Sequence, residues 1–214
     1  MVVADCRPNG RSIELGSGTG GFKELHPDLI ASDVTFADWL DLCFDGHEMP
    51  FRDSSVANVI LFDVLHHLQN PLFFFKEAER VLMKSGRILI IEPYPSPFSL
   101  IAYRMFHPEP FNFKVDYFNQ IKVRGKKDPW EANQAIAHCL FFKNRERFIR
   151  YFDGKLKIIR KTRFACLLYP LSGGFDHPSY VPNSLVPFLR SAERFLSPLA
   201  SLLAFRCYVV LEKT

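Results

Sequence analysis

From Ser12 to Ile91 short apolar runs alternate with one long segment of helical spacing, and this alternation limits the fold more than any other feature of the 214 residues. Ser12 to Leu15 is a short run that leads into glycines. Leu29 to Val34, Leu40 to Phe44, Ala57 to Leu65 and Arg87 to Ile91 follow it. The fourth run is almost continuously apolar, as a strand buried on both faces requires. Between the fourth and fifth, Leu72, Phe75, Ala78, Glu79 and Leu82 recur at helical spacing behind Pro71, which suits a first helical turn. Lys84-Ser85-Gly86 then reads as a helix stop. Strands alternating with helices predict an α/β, doubly wound, Rossmann-like and mostly parallel sheet of seven strands.

Beyond Ile91 the texture changes. Pro93, Pro95, Pro97, Pro108 and Pro110 fall among aromatics in residues 93–113, which reads as a loop-rich insertion after the fifth strand. Asn144 to Phe152 reads as a helix and Leu156 to Cys166 as a strand. Pro182 to Leu203 contains an amphipathic helix interrupted by Pro187 and Pro198, and Cys207 to Leu211 is a last strand. There is no internal repeat.

Composition excludes several classes. At 48% hydrophobic and 23% charged residues, the chain can bury a core and is not disordered. No apolar run approaches the roughly 20 residues of a membrane-spanning helix. Met1 to Asn9 lacks the apolar block of a signal peptide. The five cysteines (Cys6, Cys43, Cys139, Cys166, Cys207) are too scattered for zinc or a disulfide framework, so reduced thiols, a cytoplasmic location and no metal are expected. Charge is uneven: 8 Lys/Arg against 14 Asp/Glu up to residue 96, and 19 against 9 beyond it. The densest basic stretch, Lys143 to Arg163, interleaves its charges with Phe148, Ile149, Phe152, Ile158, Ile159 and Phe164, as a solvated face of packed elements does. Nucleic acid is not expected as a partner. A stripe of Leu185, Phe188, Leu189, Ala192, Phe195, Leu196, Leu199 and Leu203 reads first as core or dimer contact, with a membrane-lying surface as the alternative.

The chemical signal is Glu14-Leu15-Gly16-Ser17-Gly18-Thr19-Gly20-Gly21, directly after a strand. Glycines let the backbone turn sharply and approach a ligand closely. Gly16, Gly18 and Gly21 fit the dinucleotide pattern G-x-G-x-x-G. Gly16, Gly18 and Gly20 fit G-x-G-x-G behind an acid. The second pattern resembles motif I of class I S-adenosylmethionine-dependent methyltransferases. Further segments in that family's order are Asp33 ending the second strand, Asp45-Gly46-His47-Glu48-Met49-Pro50-Phe51, Phe62 to Leu68, Glu77 to Arg87 and Ile91-Glu92-Pro93.

This resemblance implies the methyltransferase fold in a single domain, 1–214, and S-adenosylmethionine as cofactor. Residues 12–95 would form the cofactor-binding half, 96–143 an acceptor-binding insertion, and 144–214 the C-terminal helices and last strands. Glu14 would reach the cofactor's ammonium. Gly16, Ser17, Gly18, Thr19 and Gly20 would form the loop against its methionyl part, and Asp33 would hold the ribose. Asp45, with Gly46 or His47 backbone, would meet the adenine, and Asp63 would line the cofactor. Only about ten residues precede Ser12, where the family has a closing helical segment, so the proline-rich insertion is a candidate substitute. Thr35 to Asp41 leaves barely two helical turns after the second strand.

His66, His67 and His107 are the candidate bases, the first two following the fourth strand, with one facing the site while the other packs. Glu92, Tyr94, Trp130 and Asn133 are candidate acceptor contacts. The expected reaction is methyl transfer to a small molecule, saccharide or lipid-linked glycan. Two other readings are a non-catalytic relative serving as partner subunit and, against Glu14 and Pro50-Phe51, a nicotinamide-dependent oxidoreductase.

Overall fold

The computed structural model describes residues 1–107, 109–119, 131–174 and 178–214. Strands β1 (Ser12–Leu15), β2 (Ile30–Asp33), β3 (Leu42–Cys43), β4 (Val56–Phe62), β5 (Leu82–Pro93), β6 (Leu156–Phe164) and β7 (Arg206–Lys213) form one sheet in the order β3-β2-β1-β4-β5-β7-β6. The first five pair in parallel, and β7 runs antiparallel to both β5 and β6. The central strands are buried on both faces: all of β1, and Val56 to Leu61 of β4. In β4 this shows as an almost continuous apolar run broken by Asn58, whereas β1 buries the polar Ser12 and Glu14 alongside Ile13 and Leu15.

The helices are α1 (Val2–Asp5), α2 (Pro71–Val81), α3 (Pro97–Phe106), α4 (Arg145–Tyr151), α5 (Leu168–Leu171), α6 (Val186–Leu196) and α7 (Ala200–Leu203), with a π-helical segment over His138–Lys143. One sheet face, including Ile13, Val59, Ile88 and Val209, packs on α2, the π-helical segment and α4. Phe75 of α2 lies at the centre of this layer, with ring centroids 5.8 Å from Phe141, 5.3 Å from Phe148 and 6.2 Å from Phe152. Edge-on aromatic packing of this kind accommodates several of the chain's 22 phenylalanines. The other face, with Ile60, Leu89, Tyr208 and Val210, is covered more thinly by Val2, Phe22 and Leu29.

Three local readings need correction. Residues 93–113 are not loop throughout, because α3 occupies Pro97–Phe106. Ser96 caps it, its hydroxyl accepting from Ser99 N at 3.0 Å, and Pro97 takes the first helical position, where no N–H is needed. Lys84-Ser85-Gly86 does not end α2. The helix stops at Val81, and the tripeptide bulges within β5, with Ser85 at φ 58° and the register shifted between Val56 and Asn58. Turns, not helix, connect β1 to β2 and β2 to β3. The glycines at 16, 18, 20 and 21 and Pro27 disfavour helix in the first of these connections. No helix of the described residues is long and apolar enough to cross a membrane.

Candidate active site

The carboxyl ends of β1, β2, β4 and β5 lie side by side. Chain order reverses between β1 and β4, which opens a crevice of the kind where parallel sheets bind ligands. The glycine loop leaves β1 there. Gly16, Gly18 and Gly20 have φ of 64°, 49° and 76°, left-handed values that other residues adopt at a cost. A Cβ on Gly16 would lie 2.3 Å from Val64 Cγ2, whereas one on Gly18 would meet nothing within 4 Å. Ser17 ties the loop to β2: its N–H donates to Ser32 O (3.0 Å) and its hydroxyl accepts from Ser32 N (3.1 Å). Thr19 is exposed at the loop tip.

Glu14 is buried beneath this loop, and its Oε2 has no hydrogen-bond partner among the described residues. Burial raises its pKa to about 7, against a smaller opposing effect of the Ser17 hydroxyl. An orphaned buried carboxylate is costly unless a cation or donor meets it, so the residues present fit a ligand ammonium. Asp33 ends β2, with one oxygen accepting from Thr35 N at 3.0 Å. Asp45 Oδ1 accepts from His47 N (2.9 Å) and contacts His47 Nδ1 (2.7 Å), while His47 Nε2 lies 3.2 Å from Asn70 O. Asp45, Gly46 and His47 thus form a turn stapled to the start of α2. Asp63, at φ 57°, is committed to Arg206: both carboxylate oxygens lie 2.5 Å from its Nη2.

A cluster of imidazoles and carboxylates follows β4. Glu92, at the end of β5 and fully buried, accepts from Leu65 N (2.7 Å) and lies 2.6 Å from His66 Nδ1. His66 Nε2 lies 3.4 Å from Glu109 Oε2, and His67 Nε2 lies 3.9 Å from Glu109 Oε1. Gln134 Nε2 joins His107 to the group, 3.1 Å from His107 Nδ1 and donating to Glu109 Oε2 at 3.0 Å. The three histidines singled out in the sequence are therefore gathered around one carboxylate. Burial alone would lower the His66 pKa. Glu92 and Glu109 outweigh it, with a further contribution from Asp63, and the pKa rises to about 10. Glu109 is held down to about 2, first by its hydrogen bond with His66 and then by Gln134. His66 is thus an imidazolium clamped between two carboxylates. His66, His67 and Glu109 offer ligand atoms all within 4.8 Å of one another, but a metal ion there would have to displace the His66 proton.

Beside this cluster lies a cavity of about 330 Å³, walled by Leu68, Gln69, Pro110, Asn112, Tyr117 and Asn133, among others. Asn133 is more than a wall. Its N–H donates to His66 O (2.9 Å), its Oδ1 accepts from Asn112 N (2.8 Å) and its Nδ2 donates to Tyr117 OH (2.5 Å), so it holds the insertion against the histidines. Tyr94 is buried, its ring 5.0 Å from Phe142, with the Arg163 guanidinium 5.0 Å from its centre. Trp130 lies outside the described residues. Sequence reasoning missed Glu109 and Arg206. For Arg206 a signal existed: a lone cation opening the apolar run Cys207 to Leu211. Glu109 carried none, since its partners come from remote segments.

Residues 13–90 match the model of a methyltransferase domain. The chain is 31% identical over 91 residues to an uncharacterized protein, MJ1123, of Methanocaldococcus jannaschii; the match covers 39% of this chain and 44% of that protein. Among solved structures, it resembles a SAM-dependent methyltransferase from Archaeoglobus fulgidus (TM-score 0.61, 14% identity, covering 99% of this chain and 90% of that one). It also resembles a SAM-dependent methyltransferase from Thermotoga maritima (0.59, 14%, 99% and 86%). The [4+2]-cyclase SpnF shares the fold (0.53, 12%, 99% and 78%), so fold likeness at this identity does not by itself fix the chemistry.

Proposed function

We propose that this chain, whose residues 13–90 match a methyltransferase domain, is a class I S-adenosylmethionine-dependent methyltransferase that transfers a methyl group from that cofactor to a hydroxyl or amine of a small molecule or saccharide. The observation that carries the reading is the buried Glu14 Oε2, without a hydrogen-bond partner among the described residues, next to a left-handed glycine loop. Glu14 would face the cofactor's ammonium, Asp33 its ribose hydroxyls and the Gly16–Gly20 backbone its methionyl part. The Asp45–His47 turn is offered to the adenine. When bound, S-adenosylmethionine supplies a methyl group already activated by positive sulfur, so the protein mainly aligns the acceptor and excludes water.

The acceptor would occupy the cavity, two of whose walls adjoin the cluster: Pro110 follows Glu109, and Leu68 follows His67. Glu92 and Glu109 favour the protonated form of His66, which suits it to orient rather than to accept a proton. Its role is to orient Glu109. Glu109 would attract an acceptor's developing positive charge, and His67 would take the proton of a hydroxyl. Glu92 positions His66 from beneath. Titration calorimetry with S-adenosylmethionine and S-adenosylhomocysteine tests the core of the reading. Heat with both, weakened in Glu14→Gln, is expected. Absence of heat with either would favour the non-catalytic partner-subunit reading. Incubating extracts with labelled methyl donor and following label by mass spectrometry then identifies the acceptor.

A further inference from the structure

Helix α3 packs against α7, and both α3 and the α6–α7 segment turn large apolar side chains to solvent. On α3, Phe98, Ile101 and Met105 stand at helical spacing, with Met105 68% exposed. On the α6–α7 segment, Phe188, Phe195 and Leu202 are likewise turned to solvent, with Phe195 85% exposed. The opposite sides of these helices are spent on the fold. Tyr103 is buried and donates its hydroxyl to Phe205 O at 2.9 Å, and Leu196 and Leu203 pack on the main core.

The charges on these helices are sorted by sign. Arg104, Arg190 and Arg194 are exposed. Glu193, the single acid of the two helices, is turned inward, its Oε1 accepting from Leu167 N (3.0 Å) and Leu168 N (2.9 Å). What α3 and α6 themselves turn to solvent is therefore apolar, and their exposed charges are all cationic. An aqueous protein partner would need an apolar patch ringed by acids. A bilayer with anionic headgroups presents that combination everywhere, and arginines flanking an apolar stripe can extend to the headgroups while the rings enter the acyl boundary. We infer that the α3 and α6–α7 face docks on an anionic membrane surface. The dock lies near the site, because α3 begins four residues after Pro93, the last residue of β5. An amphiphilic acceptor embedded in the bilayer would then meet the crevice without leaving the lipid.

Flotation of the full chain with phosphatidylcholine vesicles, with and without phosphatidylglycerol, tests this without cofactor or acceptor. Its failure would therefore leave the methyl-transfer reading standing. Three arginines predict an anionic preference on the order of 100-fold that falls with added salt. Phe188→Ser/Phe195→Ser should abolish flotation while leaving the thermal melt unchanged, since both rings are exposed. Equal binding to neutral and anionic vesicles, no binding to either, or a wild-type dimer that the double variant splits would each overturn the inference.

Discussion

His66 Nε2 and Glu109 Oε2 stand 3.4 Å apart, on an imidazolium whose other nitrogen is 2.6 Å from the fully buried Glu92. The ring is thus charged and held from both sides. Removing either carboxylate should move its protonation in a defined direction. Glu109→Gln should lower the His66 pKa from about 10 toward the ordinary histidine range, and NMR titration of the ring reads this directly. In the same variant, methyl transfer should fall by about 10²–10³-fold with cofactor affinity unchanged, as for the loss of one electrostatic contact to developing charge.

Glu92→Gln is expected to be the more damaging substitution to stability. It leaves a buried imidazolium facing a neutral amide, and breaking a buried pair costs about 3–5 kcal/mol. The sign of the pH dependence follows from the raised His66 pKa. The stabilisation is complete below the unfolded histidine value and is lost as pH rises through about 10. Glu109, depressed to about 2, contributes above its unfolded value and loses its contribution only as pH falls through about 2. Chemical denaturation at neutral and high pH should therefore show the wild-type advantage over Glu92→Gln shrinking toward the alkaline end.

Glu14 shares the sign of His66 and opposes that of Glu109. Its pKa is raised by burial, so ionising it destabilises the unliganded protein as pH rises toward and through about 7. A ligand ammonium stabilises the ionised form. Cofactor affinity should accordingly tighten about tenfold between pH 6 and 8, with proton release, and Glu14→Gln should flatten that profile. Calorimetry in two buffers of different ionisation heat measures both quantities.

The two halves of this architecture were unequally legible. β4 announces itself because a strand buried on both faces is almost continuously apolar, whereas β1 and β2 are marked by the glycines and the acid at their ends, which lie at the ligand edge. α3 was hidden because Pro95 and Pro97 read as loop, although Pro97 at a first helical position behind the Ser96 cap starts a helix as well as it breaks one. His66, His67 and His107 were visible as titratable residues near a strand end, but the fact that they converge was not. Convergence depends on Glu109 and Gln134, brought in by the insertion, and no local spacing records a contact between such distant segments. Asp63 read as a cofactor-lining acid because its strand ends in the right place. Its pairing with Arg206 is visible only once β7 lies beside β5.

Gly16 and Gly18 separate packing from ligand access. Gly16→Ala drives a methyl group into Val64 and should destabilise the unliganded fold by about 1–3 kcal/mol. Gly18→Ala meets open space, so its cost in the unliganded protein is limited to the left-handed φ, about 1–2 kcal/mol. A bulkier Gly18→Val adds a side chain only where the ligand would lie. Thermal melts and calorimetry together should show Gly16→Ala dominated by lost stability and Gly18→Val by lost cofactor affinity.

Asp63 allows a clean test of its own role. Asparagine tolerates the left-handed conformation that Asp63 adopts, so Asp63→Asn removes the charge with little backbone penalty. The partner left behind is Arg206, a guanidinium buried beside Tyr169, 5.0 Å from that ring's centre. Because the Asp63 carboxylate is about half exposed (47%), water compensates part of the loss, and the cost should fall below the 3–5 kcal/mol of a fully buried pair. Arg206→Met should be milder still, since it removes the buried charge and leaves an acid that water can reach. If Asp63 serves the fold, Asp63→Asn lowers the melting temperature while cofactor affinity changes by less than a few fold. A large affinity loss at unchanged stability would instead assign the carboxylate to the ligand.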